Sequence, residues 1–160
     1  MDMQATPSPT SLPFAWEDVV IGSRQLSTTC LVSAAEIIDF AQRFDPLPIH
    51  TDPVLAAAGP FGGLTASGSH MVALRNRLLH DFAFSRAVIA SLGMDELRYK
   101  APLRPGQTCQ LAIEFLDAQP SKSKPDRGSV RMRQTLLADN VPTLTLIDLF
   151  LMWRRPTAAA

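Results

Sequence analysis

The periodicity changes near residue 88, and that change limits the folds open to this chain. Beyond it, segments 88–92, 96–100, 108–116, 129–137 and 144–153 are rich in β-branched and aromatic residues or alternate apolar with polar. Strands of a sheet with one buried face read this way. Between them stand turn formers: Gly93, Pro105-Gly106, the run 120–128, and Asp139-Asn140 ahead of Pro142. Before residue 88 the signals are mostly helical, after a single strand at 24–32 rich in Thr, Leu and Val. One strand, a block of helices and then four or five consecutive strands do not alternate as parallel α/β folds do. They predict an α+β domain whose antiparallel sheet wraps one long helix.

The long helix is expected to begin at Ser67-Gly68-Ser69. Met71, Leu74, Leu78 and Phe82 form its apolar stripe, and Val72 and Leu79 widen it, which suits a helix wrapped by a sheet. An earlier helix opens on Ser33-Ala34-Ala35-Glu36, the spacing of a capping box, and carries Ile37, Phe40, Ala41 and Phe44 on one face. Pro46 and Pro48 end it, so the chain is expected to run extended or turned towards His50. Thr51-Asp52-Pro53 then starts a short Ala-rich helix to Ala58. Gly59-Pro60-Phe61-Gly62-Gly63 breaks regular structure, and without a following Gly-Lys-Ser or Gly-Lys-Thr a phosphate-binding P-loop is unsupported.

The 160 residues suit one domain. We expect a flexible arm at 1–13, the domain at 14–156, with 14–20 covering part of its body, and a flexible tail at 157–160. With 15 basic and 15 acidic side chains, no net field recommends nucleic acid or an anionic membrane as a partner. Zero net charge is compatible with self-association. Cys30 and Cys109 share no metal or redox spacing and read as small core residues. The N-terminal residues lack the pattern of a signal peptide, and the run 144–153 comes nearest to a membrane span but is interrupted by Asp148. A soluble cytoplasmic protein is the expectation. Lys122-Ser123-Lys124-Pro125-Asp126-Arg127 reads as a solvated hairpin loop.

Chemistry concentrates in Phe44-Asp45-Pro46-Leu47-Pro48-Ile49-His50, a stiff bend that carries a carboxylate and an imidazole. Turn formation alone accounts for the aspartate and prolines, so these seven residues leave an ordinary turn open beside an acid–base site. The surrounding sequence extends the pattern. Asp45-Pro46-Leu47-Pro48-Ile49-His50-Thr51-Asp52 is followed by 56–58, Pro60-Phe61-Gly62, Ala66-Ser67-Gly68 and Leu97-Arg98-Tyr99-Lys100-Ala101-Pro102-Leu103-Arg104-Pro105-Gly106. Over residues 33–106 this resembles the MaoC-like dehydratases and R-specific enoyl-CoA hydratases.

That resemblance implies a hot-dog fold and a hydratase or dehydratase that adds water to, or removes it from, an acyl-CoA thioester. By the same resemblance Asp45 and His50 are the catalytic pair, sharing one water. The amide of Gly68, beside Ser67 at the helix entry, would hold the thioester oxygen. Phe44, Leu47 and Phe61 would line the acyl pocket, and Asn76 matches a small polar residue further along the helix. It implies a homodimer or dimer-based oligomer, and no cofactor beyond the CoA carried by the substrate. Typical R-hydratases have Gly immediately before the aspartate and Asn two positions after it, where this chain has Phe44 and Leu47. A hot-dog acyl-CoA thioesterase and a non-catalytic acyl-thioester binding subunit are the alternatives. His50, Asp52 and His70 form no recognised metal-ligand set. His70 reads as a cap or supporting partner, and His80 as a surface residue.

Overall fold

Side-chain alternation along the last three strands decides which face of the sheet is buried. Cys109, Leu111, Ile113 and Phe115, then Val130, Met132 and Leu136, then Leu144, Leu146, Phe150 and Met152 all point into one core, because successive residues of a strand face opposite sides. The computed structural model describes residues 12–156. Its strands are β1 (Arg24–Leu31), β2 (Val88–Tyr99), β3 (Thr108–Pro120), β4 (Arg127–Ala138) and β5 (Val141–Trp153). They form one sheet in the order β1-β3-β4-β5-β2, and every pairing is antiparallel. Between β1 and β2 come α1 (Ala34–Phe44), α2 (Pro48–Thr51), α3 (Pro53–Ala58) and α4 (Gly68–Leu79). Met71, Leu74, Leu78 and Leu79 of α4 are buried in the same core as the inward face of the sheet.

Several local expectations are met by named contacts. Ser33 caps α1 by accepting from the Glu36 N–H at 3.1 Å, and Asp52 caps α3 by accepting from Val54 and Leu55 at 2.8 and 3.0 Å. Asp139 and Asn140 connect β4 to β5 with φ of 48° and 66°, the left-handed pair that matches the twist of a two-residue hairpin. Cys30 and Cys109 are register partners across β1 and β3, and both are free and buried. Burial pushes the Cys109 thiol up to about 12, away from any reactive thiolate role.

Four expectations need correction. Segments 88–92 and 96–100 form one continuous β2, because β5 pairs with it on both sides of Gly93. Gly93 and the left-handed Glu96 (φ 53°) sit at register irregularities within it, as bulged edge strands allow. The approach to His50 is one helical turn, α2, with Pro48 in its first position, where proline's fixed φ fits and its missing N–H costs nothing. Glu36 does not complete the capping box; its carboxylate lies 3.6 Å from His70 Nε2. Phe82 lies beyond the end of α4 and reaches the core from the following turn, stacked on Phe84 at 5.4 Å.

The 14–20 segment lies on the body of the domain: Phe14 stacks on Phe115 at 6.4 Å, and the Trp16 indole donates to the Ser129 carbonyl at 3.1 Å. Gly128 admits this indole, since a Cβ there would lie 2.5 Å from Trp16 Nε1. Of the expected arm, residues 1–11 lie outside the described residues and Leu12 is buried. The expected tail at 157–160 lies outside them too. Among the described residues no helix is long and apolar enough to cross a membrane.

Candidate active site

Asp45 is the residue on which α1 ends, its N–H still donating to the Ala41 carbonyl at 2.9 Å. Two residues later the Leu47 carbonyl accepts from the His50 N–H at 2.8 Å, which closes the α2 turn and swings the imidazole inward. His50 is 7% exposed. Its Nδ1 lies 2.7 Å from the Thr65 carbonyl oxygen. A carbonyl only accepts, so Nδ1 carries the hydrogen and neutral His50 presents Nε2 as a lone pair. Nε2 lies 3.9 Å from Asp45 Oδ2. That is too long for a direct hydrogen bond and short enough for one oxygen about 2.8 Å from each group to bridge them.

The chain that orients His50 is itself anchored on both sides. The Thr65 N–H donates to the Ile49 carbonyl at 3.1 Å and the Ala66 N–H to the Leu103 carbonyl at 2.8 Å. Residues 64–67 are buried throughout and lead directly into α4. Ser67 caps that helix, accepting from the His70 N–H at 3.1 Å, and Gly68 is its first residue. The Gly68 amide therefore has no partner within the helix and lies at the positive end of its dipole.

A cavity of about 330 Å³ opens beside this frame, lined by His50, Thr65, Ala66, Phe61, Tyr99 and Met71 among others. Of the residues expected to bind substrate, Phe61 is on its wall. Phe44 packs on Phe40 with centroids 4.9 Å apart and lines a second cavity, between α1 and α4. Leu47 is exposed. Asn76 is turned to Arg75, its Oδ1 accepting from Nη1 at 2.5 Å, and does not line the His50 cavity.

His70 lies in the wall of the second cavity, its ring flat on Phe40 at 4.4 Å and 7°. Burial holds its proton affinity below the usual histidine range, against the opposing pull of Glu36. Its Nδ1 is buried without a hydrogen-bond partner among the described residues. No group of His, Cys, Asp and Glu among the described residues has the geometry of a metal site. Thr65 acts through a backbone carbonyl and leaves no side-chain signature in the sequence. Tyr99, within the 97–106 pattern, lines the cavity without any local signal that marks it as a site residue.

An antiparallel sheet wrapped around one long helix is the hot-dog arrangement. The chain belongs to the family described as MaoC like domain, whose model matches residues 18–136. Its structure is similar to that of a MaoC-like dehydratase from Rhodospirillum rubrum, with a TM-score of 0.84, 35% identity, and coverage of 90% of this chain and 99% of the other. An uncharacterized Bacillus subtilis protein, YdeM, is 28% identical over 109 residues, 68% of this chain and 77% of its own length. The 3-hydroxyacyl-thioester dehydratase Z of Mycobacterium tuberculosis is 40% identical over 60 residues, 36% of this chain and 40% of its own.

Proposed function

We propose that this chain hydrates 2-enoyl-CoA thioesters, or dehydrates the corresponding 3-hydroxyacyl-CoA. The observation that carries the reading is the 3.9 Å approach of Asp45 to a His50 Nε2 left as an acceptor by the Thr65 carbonyl. In hydration, a water donating to both groups attacks the β-carbon and gives one proton to His50 Nε2. The α-carbon takes up a proton relayed through the same pair, so that one H and one OH are added overall. Negative charge passes through the thioester oxygen, which accepts from the Gly68 N–H at the helix dipole's positive end. The names of the dehydratase relatives support a water-adding or water-eliminating chemistry on thioesters.

Phe44 and Leu47, where typical R-hydratases have Gly and Asn, do not line the His50 cavity. Among the described residues no strand pairs with the outer edge of β2, along which Leu92 and Met94 are exposed; this supports association of two copies, which light scattering at micromolar concentration reads directly.

The test is turnover by Asp45→Ala and His50→Ala, which are expected to fold normally and each to lose at least about 10²-fold in crotonyl-CoA hydration. Undiminished turnover in both removes the assignment. Thiol release without loss of enoyl absorbance would instead indicate a thioesterase. Tight acyl-CoA binding with no turnover over a broad panel would indicate a binding subunit.

A further inference from the structure

Tyr99, the last residue of β2, lays the hydroxyl end of its ring on the first residue of α4. A Cβ added to Gly68 would lie 2.4 Å from Tyr99 Cζ, 2.9 Å from Cε1 and 2.5 Å from the hydroxyl oxygen. The phenol end is thus packed on the Gly68 Cα, the atom next to the amide nitrogen that serves the thioester oxygen in the reading above. These distances place the added carbon over the face of the ring at Cζ, with the hydroxyl oxygen as near to it as the ring carbons, so the polar end of the side chain covers the helix terminus.

The tyrosine is placed by rigid backbone. Tyr99 is in register with Leu144 of β5, and the next residue, Lys100, donates its N–H to the Thr143 carbonyl at 2.8 Å. With only two side-chain torsions to fix, little ordering is needed to aim the hydroxyl. The ring lines the same cavity as His50, and the residue is 53% exposed, so a ligand entering the cavity meets it. An enolate-like oxygen has lone pairs for more than one donor, and two donors converging on it stabilise the developing charge more than a single amide does.

We propose that the Tyr99 hydroxyl is a second donor to the thioester oxygen, alongside the Gly68 N–H. It donates a hydrogen bond and keeps its proton, so the proton balance of hydration is unchanged. The inference rests on the thioester reading of this site and adds to it a residue whose distance from Asp45 and His50 in sequence hides it.

Tyr99→Phe tests it, because the variant keeps the ring and its packing on Gly68 and removes only the O–H. Two readouts are taken on the full-length wild type and variant: steady-state hydration of crotonyl-CoA, and the infrared carbonyl stretch of bound, non-reacting butyryl-CoA labelled with ¹³C at the carbonyl. The expected result is a fall in kcat of about 10²-fold with KM changed by less than about threefold. The carbonyl stretch, lowered on binding to the wild type, is expected to return towards its solution value in the variant. An active wild type whose kcat and carbonyl stretch are both unaffected by Tyr99→Phe overturns the second donor and leaves the hydratase reading standing. A wild type that shifts the carbonyl without turning over fails the hydratase reading, and the variant's spectrum still decides the donor. A wild type that does neither overturns both. Circular dichroism and urea unfolding establish that the variant is folded.

Discussion

Gly68 answers two demands at one position. Its amide is the unpaired donor at the head of α4, and its missing side chain is what lets the Tyr99 phenol lie against the backbone. In Gly68→Ala the new methyl collides with the tip of a side chain that can rotate, so the ring swings away and the helix stays. Stability measured by urea unfolding is expected to change by less than about 1 kcal/mol, because alanine is a good helix residue. Crotonyl-CoA turnover is expected to fall about 10²-fold, as misplaced groups at a reacting centre do. A variant with wild-type turnover would mean that neither the ring nor free access to Gly68 matters. Asp45 and His50 were legible because a capped helix, two prolines and a short interval fix their meeting locally. The tautomer of His50 was not, since it depends on a carbonyl of the segment that leads into α4.

At the scale of elements, α1 and α4 are joined by a histidine with one polar partner. His70, 3% exposed, stacks on Phe40 and faces Glu36, and Asp39, Arg43 and Arg77 line the same cavity. Burial lowers the proton affinity of His70 in the folded chain below its usual 6.5, so on this account the unfolded chain binds the proton more readily. Stability is therefore present above the unfolded pKa and is lost as pH falls through it towards the lower folded value. Urea unfolding of the wild type should weaken more steeply than that of His70→Gln between about pH 7.5 and 5, bracketing the unfolded histidine pKa. Glu17, where burial opposes but the Arg155 N–H and the Arg154 side chain prevail, and Asp18, bonded to the Arg155 side chain, are both held low and contribute equally to both proteins. Parallel declines would remove His70 from the acid response. The α1 cap was legible from Ser33 alone. The turn of Glu36 from its own helix end to His70 was not, because a partner on another helix outcompeted the local amide.

The whole molecule is held by a polar contact through its centre. Arg75 of α4 and Asp148 of β5, 3% and 0% exposed, form an ion pair. Arg75 Nε also donates to Gln134 of β4, and Ser91 of β2 donates to Asp148 at 2.7 Å. One guanidinium thus ties the central helix to two strands, and Asp148 carries the link to a third. Burial pulls the Arg75 pKa down to about 10, still well above neutral, so the guanidinium is charged under ordinary conditions. Asp148→Ala leaves that charge buried and unpaired and is expected to cost about 3–5 kcal/mol of unfolding free energy in urea. Arg75→Met combined with Asp148→Leu, which removes both charges, is expected to recover most of it. A single variant as stable as the wild type would show that water reaches Arg75.

The chain by itself determined its periods, caps and turns, and with them the α+β class, the single wrapped helix and the Asp45–His50 bend. Each of these is set by residues one to five positions apart, whose geometry a short segment fixes alone. In the sequence Asp148 was only an interruption in an apolar run, and Arg75 a charge within an apolar helix. That they meet, that β2 runs unbroken past Gly93, that the Thr65 carbonyl sets the His50 tautomer and that Tyr99 lies on Gly68 were decided by tertiary structure alone. Each of these contacts joins residues distant along the chain, and only the closing of the sheet around α4 brings them within reach.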